Sequence, residues 1–257
     1  MASKKESGAF FFDAFYKDIF NERWQALKAS LLQEHTGIPL SHEGFPSYFL
    51  DEGSIAAACA LPLDNASCIL DVCAAPGGKT LVMSHFLSKN STITANELSG
   101  ERRTRLVKVL DEHVPENIRS RITVTPYDGS IMYKKNMNIY DAVLLDAPCS
   151  SERHVLGSAV HLSQWTKARI RNLTYTQWSL LSASFLMLKD GGCLLYSTCA
   201  LAPEENDGVI QKICKKYDTA QVISVDCDTI KAKVASLTGR PASINPERTD
   251  FGFHILP

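Results

Sequence analysis

From residue 68 to residue 217 short apolar runs alternate with longer amphipathic ones. No other feature constrains the fold as much. CILDVC (68–73), TITANE (92–97), RITVTP (121–126), YDAVLLDAP (140–148) and CLLYSTCA (193–200) read as buried strands. The intervening segments carry apolar residues at helical spacing, and helices are expected over 77–88, 99–113, about 164–188 and 203–217. Lys-Asp-Gly-Gly stops the third helix, and Pro203 sits in the first turn of the fourth. AQVISV (220–225) reads as one more strand. The pattern predicts an α/β fold with a doubly wound, mostly parallel sheet, whose ligands bind at the carboxyl ends of the strands.

Upstream, residues 9–34 show apolar residues at helical spacing and predict one or two helices. A polar stretch with Pro and Gly follows, and then a short helix within 49–61, capped by Asp51 or Ser54. The 257 residues therefore divide into an N-terminal helical extension, 1–50, and a main α/β domain, 51–257. The opening MASKKESG is polar and expected to fray.

Several function classes are disfavoured at once. No run approaches a membrane span, and the N-terminus lacks the charged-then-apolar order of an export signal. A cytoplasmic chain is expected, or a mitochondrial matrix chain in a eukaryote. None of the eight cysteines is spaced as CxxC, so no metal site is expected, and the thiols are expected to be reduced. A net charge of −1 is not that of a strongly basic nucleic-acid binder. Positive charge is dense locally, at Arg102, Arg103, Arg105 and Lys108, at Arg119 and Arg121, and at Lys167, Arg169 and Arg171. Taken alone, such clusters read as solvated helix faces ahead of a nucleic-acid surface.

CAAPGGKT (73–80) ends like a nucleotide phosphate loop, but the rest of that loop is missing. The first glycine of the motif is replaced by Cys73, and Pro76 removes an N–H from a loop whose N–H groups should cradle phosphate. The alternative is a strand-to-helix turn where Gly77 and Gly78 let the backbone approach a ligand. Glu97 ends the next strand, where an acid suits a ribose diol. Asp128 follows the third strand, placed for an adenine amino group, and Asp146 ends the fourth. Singly, Glu97 could serve a helix cap and Asp128 a turn. Together the three acids describe an adenosine pocket without phosphate, which fits S-adenosylmethionine. Cys149 and Cys199 also lie at strand ends. A strand-end cysteine is ordinarily an inert small hydrophobe, and a thiolate here would need nearby positive charge, with Lys79 the candidate.

CAAPGGKT, DAPCS and YSTCALAPEEN, in this order and on these strands, resemble the Sun/Fmu-type RNA cytosine-5 methyltransferases over residues 45–257. PCSSERHVL and the N-terminal segments look like the compact mitochondrial-type branch. The resemblance implies a Rossmann-like class I S-adenosylmethionine-dependent methyltransferase that makes 5-methylcytosine in rRNA, or secondarily in tRNA, and not in DNA. It implies that Cys199 is the nucleophile and that Cys149 assists product release. The turn Cys73, Ala74, Ala75, Pro76, Gly77, Gly78 and Lys79 then surrounds the methionine portion and sulfonium. Glu97, where the family usually has Asp, and Arg102 match the ribose side, and Asp128 and Gly129 the adenine side. Asp146 faces both cofactor and base, and Lys79 lies near the base. RNA affinity is expected from a local basic face, a partner protein or the ribosomal subunit. A non-catalytic RNA-binding or assembly factor retaining the fold is the rival reading. DFGFHILP at the end is either the approach to a final strand that is absent, leaving a sheet edge bare, or a divergent strand itself.

Overall fold

The computed structural model describes residues 8–34 and 36–257. Most of the opening MASKKESG lies outside them, and its last residue, Gly8, begins the first helix. Helices α1 (Gly8–Phe20) and α2 (Trp24–Leu32) are joined by a 3-10 turn. Strands β1 (Ile38–Leu40) and β2 (Tyr48–Leu50) then form an antiparallel pair not anticipated from the polar stretch between them. Helix α3 (Glu52–Ala60) is capped by Asp51, whose Oδ1 accepts from Ser54 N at 2.7 Å.

The main domain follows the expected alternation. It comprises β3 (Cys68–Asp71), α4 (Gly78–Ser84), β4 (Thr92–Asn96), α5 (Gly100–His113), α6 (Glu116–Arg119), β5 (Ile122–Thr125) and β6 (Tyr140–Asp146). Two short helices, α7 (Glu152–Leu156) and α8 (Ala159–Ser163), precede the long α9 (Lys167–Met187). Strand β7 (Leu188–Ser197), α10 (Asp207–Lys216), α11 (Cys227–Thr238), β8 (Pro246–Arg248) and β9 (Phe253–Ile255) complete the chain. The sheet order is β5-β4-β3-β6-β7, and all pairs are parallel. The chain winds outward from β3 to β5 and then returns to place β6 against the other side of β3. The crevice at the carboxyl ends of β3 and β6 is therefore the topological switch point.

One expectation fails at the carboxyl-terminal end. Residues 220–225 form no strand, and Val222 and Ile223 are exposed. They pair with no strand, and β7 pairs only with β6 among the described residues. Residues 253–255 are a strand, but they pair with β8 as a separate antiparallel ribbon and do not join the main sheet. Among the described residues no strand pairs with the outer edge of β7.

One apolar cluster covers each face of the sheet. The first centres on Ile69, Leu81, Ile93 and Leu144, and the second on Leu70, Val72, Val143 and Leu180. A third joins Phe12, Tyr16, Trp24 and Leu31 of the N-terminal helices to Val155, Trp165, Leu201 and Ala202. The Phe12 and Trp165 rings meet edge-on with centroids 5.4 Å apart. The N-terminal helices thus pack directly on the loops that follow β6 and β7.

Candidate active site

The turn after β3 takes its shape from packing. Gly77 has φ +116°, which favours glycine, and a Cβ there would lie 3.1–3.3 Å from Leu106 and Val109. A Cβ on Gly78 would lie 2.4 Å from Leu50 Cδ2 and 3.1 Å from Tyr48 Cε1. The atoms nearest these Cβ positions belong to α5 and β2, so packing calls for glycine at 77 and 78 in addition to any close approach of a ligand to the backbone. Gly129 is similar: a Cβ would lie 2.7 Å from Val72 Cγ1 and 2.9 Å from Leu180 Cδ2. Ala74 and Ala75 are buried, and Pro76 is exposed. Of the 73–79 turn, Cys73 and Lys79 line the groove that runs along the strand ends.

That groove brings Cys73, Lys79, Glu97, Arg102, Asp128, Gly129, Asp146, Cys149 and Cys199 onto one continuous surface. Its volume is about 2700 Å³. Small-ligand sites occupy roughly 300–1,000 Å³, so the groove exceeds any one small ligand. It continues beyond Cys199 along the unpaired edge of β7.

On the β4 side, Glu97 is buried. Its Oε1 accepts from Ser99 N at 2.8 Å, and Ser99 caps α5. Its Oε2 is 3.2 Å from Arg102 Nη1 but receives no aligned hydrogen bond. Arg102 also donates to Ala75 O at 2.7 Å, tying the acid to the turn. Asp128 Oδ1 accepts from Ser130 N and Oγ, at 2.9 and 2.7 Å. Asn96, which sequence reasoning passed over, donates to Val72 O and Tyr127 O and accepts from Tyr127 N. It fixes the Asp128 loop beside the Cys73 turn. Asp71 was also passed over. It ends β3 fully buried, accepts from Thr80 Oγ1 at 2.6 Å, and leaves Oδ1 without a partner. Burial, with repulsion from Asp146 and Glu97, pushes its carboxyl up to about 7. An acid at the end of the central strand was the available signal. Burial and the same acids push the Cys73 thiol up to about 12, which favours the thiol over the thiolate.

On the β6–β7 side, Lys79 Nζ donates to Asp146 Oδ2 at 2.8 Å and to Ser54 Oγ at 3.4 Å. Burial opposes the ammonium charge, but attraction and hydrogen bonding to Asp146 outweigh it, and the Lys79 pKa is raised. Cys149 lies three residues beyond β6 and Cys199 two beyond β7, with their Sγ atoms 3.0 Å apart. Cys199 is exposed, and Cys149 is half-buried. The hydrogen bond from the Cys149 thiol holds Cys199 below the ordinary thiol range against partial desolvation, and a hydrogen bond with Ser151 adds to it. The same contact and burial push Cys149 up. The thiolate bias of Cys199 thus comes from its sulfur neighbour and Ser151, whereas Lys79, expected to supply it, is engaged with Asp146. Ser151 holds a left-handed backbone, φ 52°, uncommon for a non-glycine residue and a mark of an over-determined site.

A model of the 16S rRNA methyltransferase RsmB/F family matches residues 58–254. The chain belongs to this family. It is 35% identical over 190 residues to ribosomal RNA small subunit methyltransferase F of Shewanella sp. (strain MR-7), covering 73% of this chain and 39% of that protein. It is also 35% identical over 187 residues to the 5-cytosine rRNA methyltransferase NSUN4 of Bos taurus, covering 71% and 48%. The chain thus spans less than half the length of these relatives. NSun6 of Pyrococcus horikoshii, crystallised with SFG, superposes with a TM-score of 0.58 at 28% identity, over 68% of this chain and 43% of that one. A methyltransferase homologue from the same organism gives 0.64 at 21% identity over 81% and 79%, a likeness of fold alone. The sheet of this RsmB/F-family chain is accordingly the Rossmann-like sheet of class I methyltransferases. Among the described residues no helix is long and apolar enough to cross a membrane.

Proposed function

We propose that this protein transfers the methyl group of S-adenosylmethionine to C5 of a cytosine in RNA, rRNA ahead of tRNA, through addition of Cys199 to C6. One observation carries the reading: two thiols 3.0 Å apart at adjacent strand ends, biased in opposite directions, on the same groove as the Glu97 acid. A lone buried cysteine would not need such a partner.

The fit of the cofactor rests on acceptors that the fold leaves over. Glu97 Oε2 and Asp71 Oδ1 are buried without hydrogen-bond donors, and they suit the hydroxyl and ammonium donors of S-adenosylmethionine. Glu97, steadied by Arg102, would hold the ribose, Asp128 and Gly129 the adenine side, and the 73–79 turn with Asp71 the methionine portion. When bound, the cofactor supplies an electrophilic methyl on sulfonium.

The protein's own groups supply the rest. C5 of cytosine is a weak nucleophile, and bonding of the Cys199 thiolate to C6 gives it enamine character. Asp146, steadied by the Lys79 ammonium, faces the base edge during that addition. After methyl transfer a solvent base takes the C5 proton, the C5–H electron pair re-forms the C5–C6 double bond, and the C6–S bond breaks to release Cys199 as thiolate, with Cys149 assisting release. Cys199→Ala is expected to abolish both methyl transfer and the covalent protein–RNA adduct. Cys149→Ala is expected to accumulate that adduct, visible as a slow-migrating band on a denaturing gel. Full activity in Cys199→Ala would sink the mechanism.

Bisulfite sequencing of total RNA with and without the gene names the substrate by the one 5-methylcytosine lost. A non-catalytic RNA-binding or assembly role is the rival reading, favoured by the unpaired edge of β7; it expects no lost mark. RNA affinity would come from the basic helix faces, a partner protein or the ribosomal subunit, in the cytoplasm or the mitochondrial matrix.

A further inference from the structure

Behind the two cysteines lies a buried polar cluster that the proposed chemistry does not use. Glu152, Glu205, Ser150 and Gln177 are each 0–1% exposed, and so is Tyr16 of α1. Burying two carboxyl groups costs stability unless every oxygen is satisfied. Here the oxygens are shared in a particular way. Glu205, on the Cys199 side, accepts from Ser150 N, the residue after Cys149, at 2.9 Å. Glu152, on the Cys149 side, accepts from Leu201 N, two residues after Cys199, at 3.0 Å. Each loop's carboxyl group therefore holds the backbone of the other loop. Gln177 Nε2 donates to both Glu205 Oε1 and Pro148 O, at 2.9 and 3.0 Å, fixing the clasp to α9.

The hydroxyl count sets the charge. Ser150 Oγ lies 2.5 Å from Glu152 Oε1 and 2.5 Å from Glu205 Oε2, yet it has a single proton to donate. One of the two facing oxygens must itself carry a proton. Glu152 has three donors available, from Tyr16 Oη, Ser150 Oγ and Leu201 N, and is satisfied as a carboxylate. Glu205 Oε1 already accepts from two N–H groups, which leaves Oε2 to donate to Ser150 Oγ. Burial raises the Glu205 pKa, and repulsion from Glu152 adds to the rise.

We propose that Glu152 and Glu205 are positioning residues that set the Cys149–Cys199 spacing by this reciprocal clasp, with Glu152 ionised and Glu205 protonated. The proposal rests on the reading of these cysteines as the reacting pair. It gives the N-terminal helix a role, because Tyr16 supplies one of the donors that keep Glu152 charged.

Two readouts on the full chain test it. Phenylarsine oxide bridges two adjacent thiols with loss of water, and mass spectrometry of the captured peptides reports the pair without RNA or cofactor. Methyl transfer to RNA reports the chemistry. Glu205→Gln keeps a donor where the carboxyl proton was, and is expected to remain within about threefold of wild type in both assays, whereas Glu205→Ala loses at least about tenfold in capture and about a hundredfold in kcat. The KM for S-adenosylmethionine should stay within about twofold in all variants, since the clasp touches no cofactor-side residue. Glu152→Gln, which places an amide where a carboxylate takes three donors, is expected to fall with Glu205→Ala. Equal effects of the two isosteric Gln variants would overturn the charge assignment, and they decide it even if Glu205→Ala fails to fold. Unchanged capture in both Glu152→Gln and Glu205→Ala would overturn the positioning role. Capture that follows the expected order while wild type transfers no methyl would sink the functional reading and leave the clasp standing.

Discussion

Gly129 separates packing from ligand binding as the reason for a glycine. The resemblance places it beside adenine, but a Cβ there would lie 2.7 Å from Val72 Cγ1 and 2.9 Å from Leu180 Cδ2. Val72 is 1% exposed and Leu180 7%, so neither side chain can swing into solvent. Val72 is also β-branched and stiff at χ1. Gly129→Ala should therefore cost about 1–3 kcal/mol through overpacking. Val72→Ala removes two methyl groups at about 0.8 kcal/mol each and leaves a cavity, so it should cost about 2–3 kcal/mol. In the double variant the new methyl occupies space that Val72 vacated. The two costs should then fall short of additivity by about 1–2 kcal/mol. Urea titration of the four proteins measures this coupling, and each kcal/mol should also appear as about 2–4 °C in Tm. Gly129→Ala as stable as wild type, with a raised KM for S-adenosylmethionine, would refute the packing argument and leave cofactor contact as the reason for the glycine.

Further outcomes concern the site chemistry. The hydrogen bond from Cys149 is the largest influence lowering the Cys199 pKa. In Cys149→Ala the Cys199 thiolate loses that donor, its pKa rises, and the onset of iodoacetamide alkylation should move to higher pH. Alkylation at unchanged pH would remove Cys149 from the activation of Cys199. Glu97→Gln should weaken S-adenosylmethionine binding about 10- to 100-fold, the loss of a hydrogen bond to a charged group, with kcat within about twofold. Calorimetric titration together with steady-state kinetics separates the two effects.

The sheet was legible because each strand from β3 to β6 is an apolar run ended by Asp, Asn or Pro, a pattern with little alternative reading. Its parallel order followed from the helices between the strands. The acids at 97, 128 and 146 were legible because strand ends in such a sheet converge on one edge. What was not legible depends on absent neighbours or on distant ones. AQVISV carries strand composition, but composition cannot show whether a segment joins a sheet, and this one pairs with no strand although β7 has an unpaired edge. The packing that also calls for glycine at 77 and 78 was hidden, because the residues that crowd them, Leu106, Val109 and Leu50, come from segments remote in sequence. Asn96 and Glu205 look like ordinary polar positions, and only the folded backbone reveals the unsatisfied groups they serve. Helix α11 was missed although Asp226 caps it and Ile230 and Val234 bury one face, a signal present but short.

The unpaired edge of β7 bears directly on how Cys199 is held. In a strand paired on one side, the N–H groups facing outward have no ladder partner, and the half-exposed run Cys193–Ser197 is in that position. The loop beyond it is better tied. Thr198 Oγ1 donates to Asn206 Oδ1 at 2.6 Å, and Asn206 Nδ2 donates to Ala200 O at 2.8 Å. Ala200 N donates to Thr198 Oγ1 at 3.2 Å, and Leu201 N to Glu152 at 3.0 Å. Hydrogen exchange resolved to single amides should therefore find Leu201 protected while the outward amides of Cys193–Ser197 exchange rapidly, an inversion of the ordinary order of strand over loop. Uniform protection across β7, equal to that of β6, would mean that another strand covers the edge in solution. Rapid exchange at Leu201 would mean that the carboxyl clasp is open much of the time, and the 3.0 Å spacing of the two sulfurs could not then be maintained by the loops that carry them.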